Sequence, residues 1–195
     1  MIKEQAFESL TGKFLIAMPA LADPNFFQSV TFICEHNEEG AMGLMINRET
    51  EDVTVGEVIT QLGLDWPEQN IADKRAFLGG PMDTDRGFLI HSPVGNWEAT
   101  IAVDDAVNEP LGITSSLDIM QAIAQGDAPR KMLLVLGYAG WGPGQLEREL
   151  AQNAWLSGPG SQEILFDTPC EDRRVAAAAL LGVDLSLLSS DVGHS

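Results

Sequence analysis

Met132-Leu133-Leu134-Val135-Leu136-Gly137-Tyr138-Ala139-Gly140-Trp141-Gly142-Pro143-Gly144-Gln145-Leu146-Glu147 is the stretch on which the reading of the fold turns. The apolar run Met132 to Leu136 predicts a buried strand. Four glycines follow within eight residues. They predict a turn, because glycine enters positive φ without steric cost and lets backbones approach closely. Gln145 to Gln152 then predicts a helix. A tryptophan in such a turn brings a large apolar ring to a flexible place. Trp141 is therefore the first candidate for a binding surface, with an apolar platform and one N–H donor. Gln145, in the first helical turn, offers a donor and an acceptor beside it.

Upstream, Phe14 to Met18 is a short apolar run stopped by Pro19, which predicts a first strand. Asp23-Pro24 joins a capping residue to a proline at the first helical position and predicts one helical turn. From Ser29 to His36 the pattern alternates. Val30, Phe32, Cys34 and His36 share one face, and Thr31, Ile33 and Glu35 the other. The turn Asn37-Glu38-Glu39-Gly40 and the strand Ala41 to Ile46 complete a β-hairpin. Val55 to Leu62 reads as an amphipathic helix closed by Gly63. Ala76 to Leu78, Gly87 to His91 (after an acidic turn) and Trp97 to Val103 read as further strands. Ser115-Ser116-Leu117-Asp118 has capping-box form ahead of a helix ended by Gly126. Thr168-Pro169-Cys170-Glu171 has it ahead of an alanine-rich helix ending near Gly182.

Strands crowd the first half and helices the second. The regular β–α alternation of a doubly wound parallel sheet is missing. The expectation is an α+β domain. Its sheet is curved and mostly antiparallel, with bulges or corners at the glycines and with the helices after Ser115 and Thr168 on its apolar faces. The expected organisation is a lead over 1–12, one domain over 13–188 and a flexible tail over 189–195.

The chain has 195 residues, enough for one core that needs no disulfide or metal staple. Cys34 and Cys170 stand in no ligand spacing and are expected as reduced thiols. Met1 to Leu10 contains Glu4 and Glu8 and lacks the apolar segment of a signal peptide. No apolar run reaches the roughly 18 residues of a membrane span. Cytoplasm is the expected compartment. Eleven Lys plus Arg face 29 Asp plus Glu, a net charge of −18. That field repels nucleic acid and anionic membrane. The cations are isolated or paired, as at Lys74-Arg75, Arg130-Lys131 and Arg173-Arg174, and form no stripe that could track phosphates.

Taken together, several of these segments resemble the AlgH/YqgE family of bacterial proteins over nearly the whole chain. They are Lys13 to Pro19, Asp23 to Phe26, Cys34 to Asn37 with Gly40 to Gly43 and Ile46-Asn47, Gly79-Gly80-Pro81, Arg86 to His91, and Gly137 to Trp141 with Gln145 to Glu147. The resemblance implies a single α+β domain with a split sheet folded into a pseudo-barrel. Some members of the family carry the label of transcriptional regulator. The resemblance implies no catalytic residues.

The glycine turn is neither a P-loop nor a dinucleotide fingerprint. Glu147 and Glu149 already put negative charge in the first helical turns. Trp141 can thus be a packed residue of a tight turn or the platform of a small-molecule or peptide site. His36, His91 and His194 are the only histidines. Glu35 and His36 point to opposite strand faces, and no set of three ligands converges, so no metal or other cofactor is expected. A triad drawn from Ser92 and a histidine lacks the GxSxG elbow. Glu38-Glu39 and Asp104-Asp105 read as solvated charge.

These readings favour a non-enzymatic domain that binds a protein partner or a small ligand, with an indirect regulatory role. The candidate residues are Trp141 and Gln145, with His36 and Asn47 of the early hairpin as polar neighbours. One alternative is an enzyme or metabolite-binding protein with a pocket near Trp141 and His36. Another is a regulator that binds DNA directly, which the charge opposes.

Overall fold

The strand that begins at Lys131 does not stop at its apolar run. The structure, a computed structural model, describes residues 7–104 and 109–188. In chain order the elements are β1 (Phe14–Ala17), β2 (Val30–Asn37), β3 (Gly40–Met45), β4 (Glu49–Thr54), α1 (Val55–Gln61), α2 (Gln69–Ala72), β5 (Arg75–Leu78), β6 (Met82–Ser92), β7 (Thr100–Val103), β8 (Leu111–Thr114), α3 (Leu117–Ala124), β9 (Lys131–Trp141), α4 (Gln145–Ala151), β10 (Trp155–Gly158) and α5 (Arg173–Ala179). The strands form one curled sheet in the order β10-β1-β2-β3-β9-β6-β8-β7, with β5 also on β9 and β4 on β5. Among the described residues only the β5–β9 pair is parallel. The fold is α+β with a mostly antiparallel half-barrel sheet, as the alternation predicts.

Strand β9 holds the sheet together. One edge pairs with β6 from Lys131 to Leu136 and again at Tyr138. The other edge pairs first with β5, at Val135 and Leu136. Past Gly137 it pairs with β3, from Ala139 to Trp141. The exchange of partners is possible because Gly137 sits at φ 73°, where β9 bends. At this bend the Gly79-Gly80 backbone presses against β9, and a Cβ on Gly79 would lie 2.3 Å from the Gly137 carbonyl oxygen.

Period-two alternation puts apolar side chains on both faces of the curled sheet. Phe14, Ile16, Phe32, Leu44, Leu133 and Val135 fill the interior, closed by α5 through Ala177 and Ala178. Outside, Leu15, Ile33, Ala139, Trp141 and Trp155 form a second cluster under Leu146 of α4. A third cluster joins Leu89, Met132 and Leu134 to Ile59 of α1 and to Ile119 and Ile123 of α3. Leu10 is buried in the second cluster, and the Gly12 N–H donates to the Ile33 carbonyl.

Several local expectations are corrected. Gly137 to Trp141 is strand, not turn. Only Gly142-Pro143-Gly144 turns, because β3 supplies the ladder partners that a local reading does not see. His36 does not share a face with Val30, Phe32 and Cys34. The β2–β3 register shifts between Ile33 and Glu35, so one extra residue turns His36 to the Ile33 side. The acidic turn before Gly87 belongs to β6 itself, with an irregularity between Met82 and Gly87. The strand expected from Trp97 begins at Thr100. Neither expected capping box forms. The Ser116 hydroxyl donates to Asp118, whose carboxylate also accepts the Glu98 and Ile119 N–H groups. Thr168 donates to the Glu163 carbonyl. Strands β4, β8 and β10 and helix α2 carry too little apolar periodicity to be read from sequence. Glu4, Asp105, His194 and the tail 189–195 lie outside the described residues.

Gly79→Ala tests the bend. The added Cβ meets backbone that cannot rotate away, so we expect a loss of about 1–3 kcal/mol in urea denaturation, as for overpacking, with an unchanged m value.

Candidate functional site

Trp141 ends β9 opposite Ala41 of β3 and is only 6% exposed. Its ring stacks on Phe26 at 6.2 Å between centroids and meets Trp155 edge-on at 5.8 Å. Phe26 also meets Trp155 edge-on at 5.4 Å. Buried indole N–H groups require acceptors. One carboxylate supplies both: Glu149 Oε2 accepts from Trp155 Nε1 at 2.7 Å and from Trp141 Nε1 at 3.0 Å. Its other oxygen accepts from Gln145 Nε2 at 3.0 Å. Gln145 Oε1 in turn accepts the Gly142 N–H at 3.0 Å. Trp141 and Gln145 therefore belong to one network that fixes α4 to the end of β9.

His36 belongs to the far side of the same helix. Its Nδ1 accepts the Leu10 N–H at 3.0 Å, so the proton of the neutral ring lies on Nε2. Nε2 donates to Glu147 Oε1 at 2.8 Å. Partial burial pushes the Glu147 carboxyl up. Its own backbone N–H, the hydrogen bond from His36 and the charge of Arg148 outweigh this and hold it below the usual carboxylate range.

Asn47 lies just past the other end of β3, away from His36. Its Oδ1 accepts the Val30 N–H at 2.8 Å, and its Nδ2 donates to the Gln28 carbonyl at 2.9 Å. Neighbouring Arg48 donates to the Asn25 and Phe27 carbonyls at 2.5 and 2.6 Å. Asp23 caps the single helical turn through the Asn25 N–H. Asn47 and Trp141 do not touch, yet both hold the same loop: Asn47 at Gln28, Trp141 at Phe26. That loop walls a cleft of about 280 Å³ between Met18, Pro19, Leu21, Phe26, Phe27 and Arg174 of α5. Phe27 stands 68% exposed on its lip.

The sequence reading missed Phe27 and Arg174 as site residues. Their signals were present in the aromatic pair after the capped turn at Asp23-Pro24 and in the cation pair Arg173-Arg174. Their convergence follows from the tertiary fold.

The other buried histidine is internally engaged. His91 is fully buried; Nδ1 lies 2.9 Å from the Pro93 carbonyl and Nε2 2.7 Å from the Thr114 hydroxyl. A carbonyl only accepts, so in the neutral ring Nδ1 donates to Pro93 and Nε2 accepts from Thr114. Burial lowers the His91 pKa, and the Pro93 bond only partly opposes this. Cys34 and Cys170 are free, and burial pushes both thiols up. No group of three or more His, Cys, Asp or Glu able to hold a metal occurs among the described residues. Among the same residues no helix is long and apolar enough to cross a membrane.

The curled sheet, the β9 bend and the α4 network define an α+β half-barrel class. The AlgH-like family model matches residues 14–186. A UPF0301 protein of Nitrosococcus oceani is 53% identical over 182 residues, 93% of this chain and 95% of that protein. Another, from Nitrosospira multiformis, is 50% identical over 95% of this chain and 97% of its own. The solution structure of the AlgH protein from Pseudomonas aeruginosa matches with a TM-score of 0.78 at 46% identity, covering 100% of both chains. A crystal structure from Corynebacterium diphtheriae, 23% identical over 94% of this chain and 93% of its own, shares the fold at a TM-score of 0.69. The chain belongs to the AlgH-like family.

His91 makes stability depend on pH. Its folded pKa lies below the ordinary 6.5, so on acidification the unfolded chain takes the proton first. The contribution is fully present above that value and is lost as pH falls from it toward the folded value. Urea denaturation across this window should show stability falling, and a shallower fall in His91→Gln. An equal slope in the variant would remove His91 as the cause.

Proposed function

We propose that this chain is a non-enzymatic cytoplasmic domain that binds a small ligand or a protein partner through the cleft beside Phe27. The carrying observation is that Phe27, a large apolar side chain, is held out on a loop that is not free to fold it away. Asn47, Arg48 and Asp23 fix the loop backbone, and the Trp141–Trp155 pair holds Phe26 from behind. An ordered loop loses little entropy on binding, which favours recognition. In this reading Trp141, Gln145, His36 and Asn47 position the cleft, and residues 13–188 act as one unit. Any regulatory output passes through the bound partner or ligand, since a charge of −18 opposes duplex DNA.

A second reading, an enzyme or metabolite-binding protein with its pocket near Trp141 and His36, has one observation in its favour. A depression of about 220 Å³ lies beside Trp141, bordered by Glu35, Asn37 and Glu39. Its acidic rim, with no cation on it, makes it the weaker candidate.

The test uses an anionic dye with an apolar ring system, anilinonaphthalene sulfonate, as probe. Wild-type protein should bind it saturably at one site. Phe27→Ala, a surface change, should alter stability by no more than about 0.5 kcal/mol yet abolish that binding. Saturable binding that survives the substitution, or its absence in the wild type, overturns the reading.

A further inference from the structure

Arg174 stands apart from the other arginines that line clefts or loops here. Arg48, Arg75 and Arg173 each spend their guanidinium on backbone carbonyls: Arg48 on Asn25 and Phe27, Arg75 on Thr50 and Glu51, Arg173 on Ile46 and Thr168. Arg174, the next residue along α5, makes none of these bonds. Its Nε is buried and has no hydrogen-bond partner. None of the ion pairs among the described residues uses it. Of the seven arginines only Arg130 is in an ion pair with a described residue, so what sets Arg174 apart is the burial of its unpartnered Nε. Burial also disfavours its charged form, with no neighbouring charge to offset the cost. Nε itself is closed off, so a ligand can reach only the two terminal nitrogens, which are not buried and make no hydrogen bond or ion pair with a described residue.

Arg174 lines the same cleft as Met18, Pro19, Phe26 and Phe27. We infer that this cleft binds a small apolar monocarboxylate, whose carboxylate pairs with Arg174 and whose hydrocarbon body lies against Phe26 and Phe27. The inference rests on reading the cleft as a ligand site.

Three properties select this class. The planar guanidinium fork matches a carboxylate in two parallel hydrogen bonds. Among the described residues Arg174 is the cleft's one cation, so a singly charged anion is neutralised, whereas a phosphate dianion keeps excess charge in the field of a −18 protein. The cleft's 280 Å³ lies at the lower edge of the roughly 300–1,000 Å³ of small-molecule sites. It suits one short chain or one ring, with Gln28 on the lip, held there by Asn47.

The experiment is an NMR titration of the labelled full chain with octanoate, octanamide and acetate. Octanoate should bind saturably and shift the Arg174 side-chain N–H together with the Phe26 and Phe27 rings. Octanamide has the same chain without charge and should bind at least tenfold more weakly. Acetate has the charge without the chain and should shift nothing. Arg174→Gln should bring octanoate down to the octanamide level, while Arg174→Lys should keep part of the difference. Equal affinity of octanoate and octanamide for the wild type overturns the role of Arg174 and leaves an apolar ligand cleft. No shift at Phe26 or Phe27 with either compound overturns the inference and the ligand cleft together. The wild-type comparison decides the matter even if Arg174→Gln is unstable.

Discussion

One carboxylate oxygen, Glu149 Oε2, accepts from two buried indoles, and the surface beside them depends on that bond pair. Tryptophan contributes much apolar area to a core but brings an N–H that must be paired; each left unpaired would cost about 1–3 kcal/mol. Placing both acceptors in one half-buried glutamate of α4 solves this for β9 and β10 at once. It also sets Trp141 and Trp155 at an edge-on angle, and Phe26 fits against both. The Phe26–Gln28 loop, which spans from β1 toward β2, is therefore anchored to the sheet's outer face from below. Asn47 and Arg48 anchor it from the hairpin's far end.

How much of this was legible in the sequence depended on where each residue found its partner. The hairpin of β2 and β3, helix α1 and the turn at Asp23-Pro24 have their partners nearby, and local patterns read them well. Gly137 to Trp141 was misread because glycine density signals a turn only when no distant strand claims the segment. Here β3 claims it, and Gly137 serves as a bend between two sheet partners. His36 was placed on the wrong face because period-two reading assumes a regular ladder, and a bulge of one residue reverses every face beyond it. Trp141 stands out in the sequence as a tryptophan among glycines. Its burial, which makes it a support for Phe26, follows from Glu149 and Trp155, whose contribution no local pattern reveals. Phe27 and Arg174 line one cleft only because α5 packs against β1 and β2.

Charge is deployed unevenly. The excess of carboxylates keeps the exterior strongly negative, while three of the few arginines spend their guanidinium on backbone carbonyls, and one of them, Arg173, bridges two separate segments. Arg173 joins Ile46 to Thr168 and lies over the Phe77 ring at 4.8 Å, so α5 is locked to the sheet by the residue adjacent to Arg174. That lock leaves Arg174 on the cleft wall. The family resemblance accounts for the scaffold, and the site is argued from these particular side chains.

The central claim is that Glu149 holds both indoles beneath the cleft wall, and it is tested most directly by hydrogen exchange at the indole N–H groups, followed by NMR. The account predicts that Trp141 and Trp155 exchange far more slowly than Trp66, which is 51% exposed, and that Glu149→Ala accelerates both together. Exchange at Trp141 as fast as at Trp66, or acceleration of only one of the pair, would contradict it.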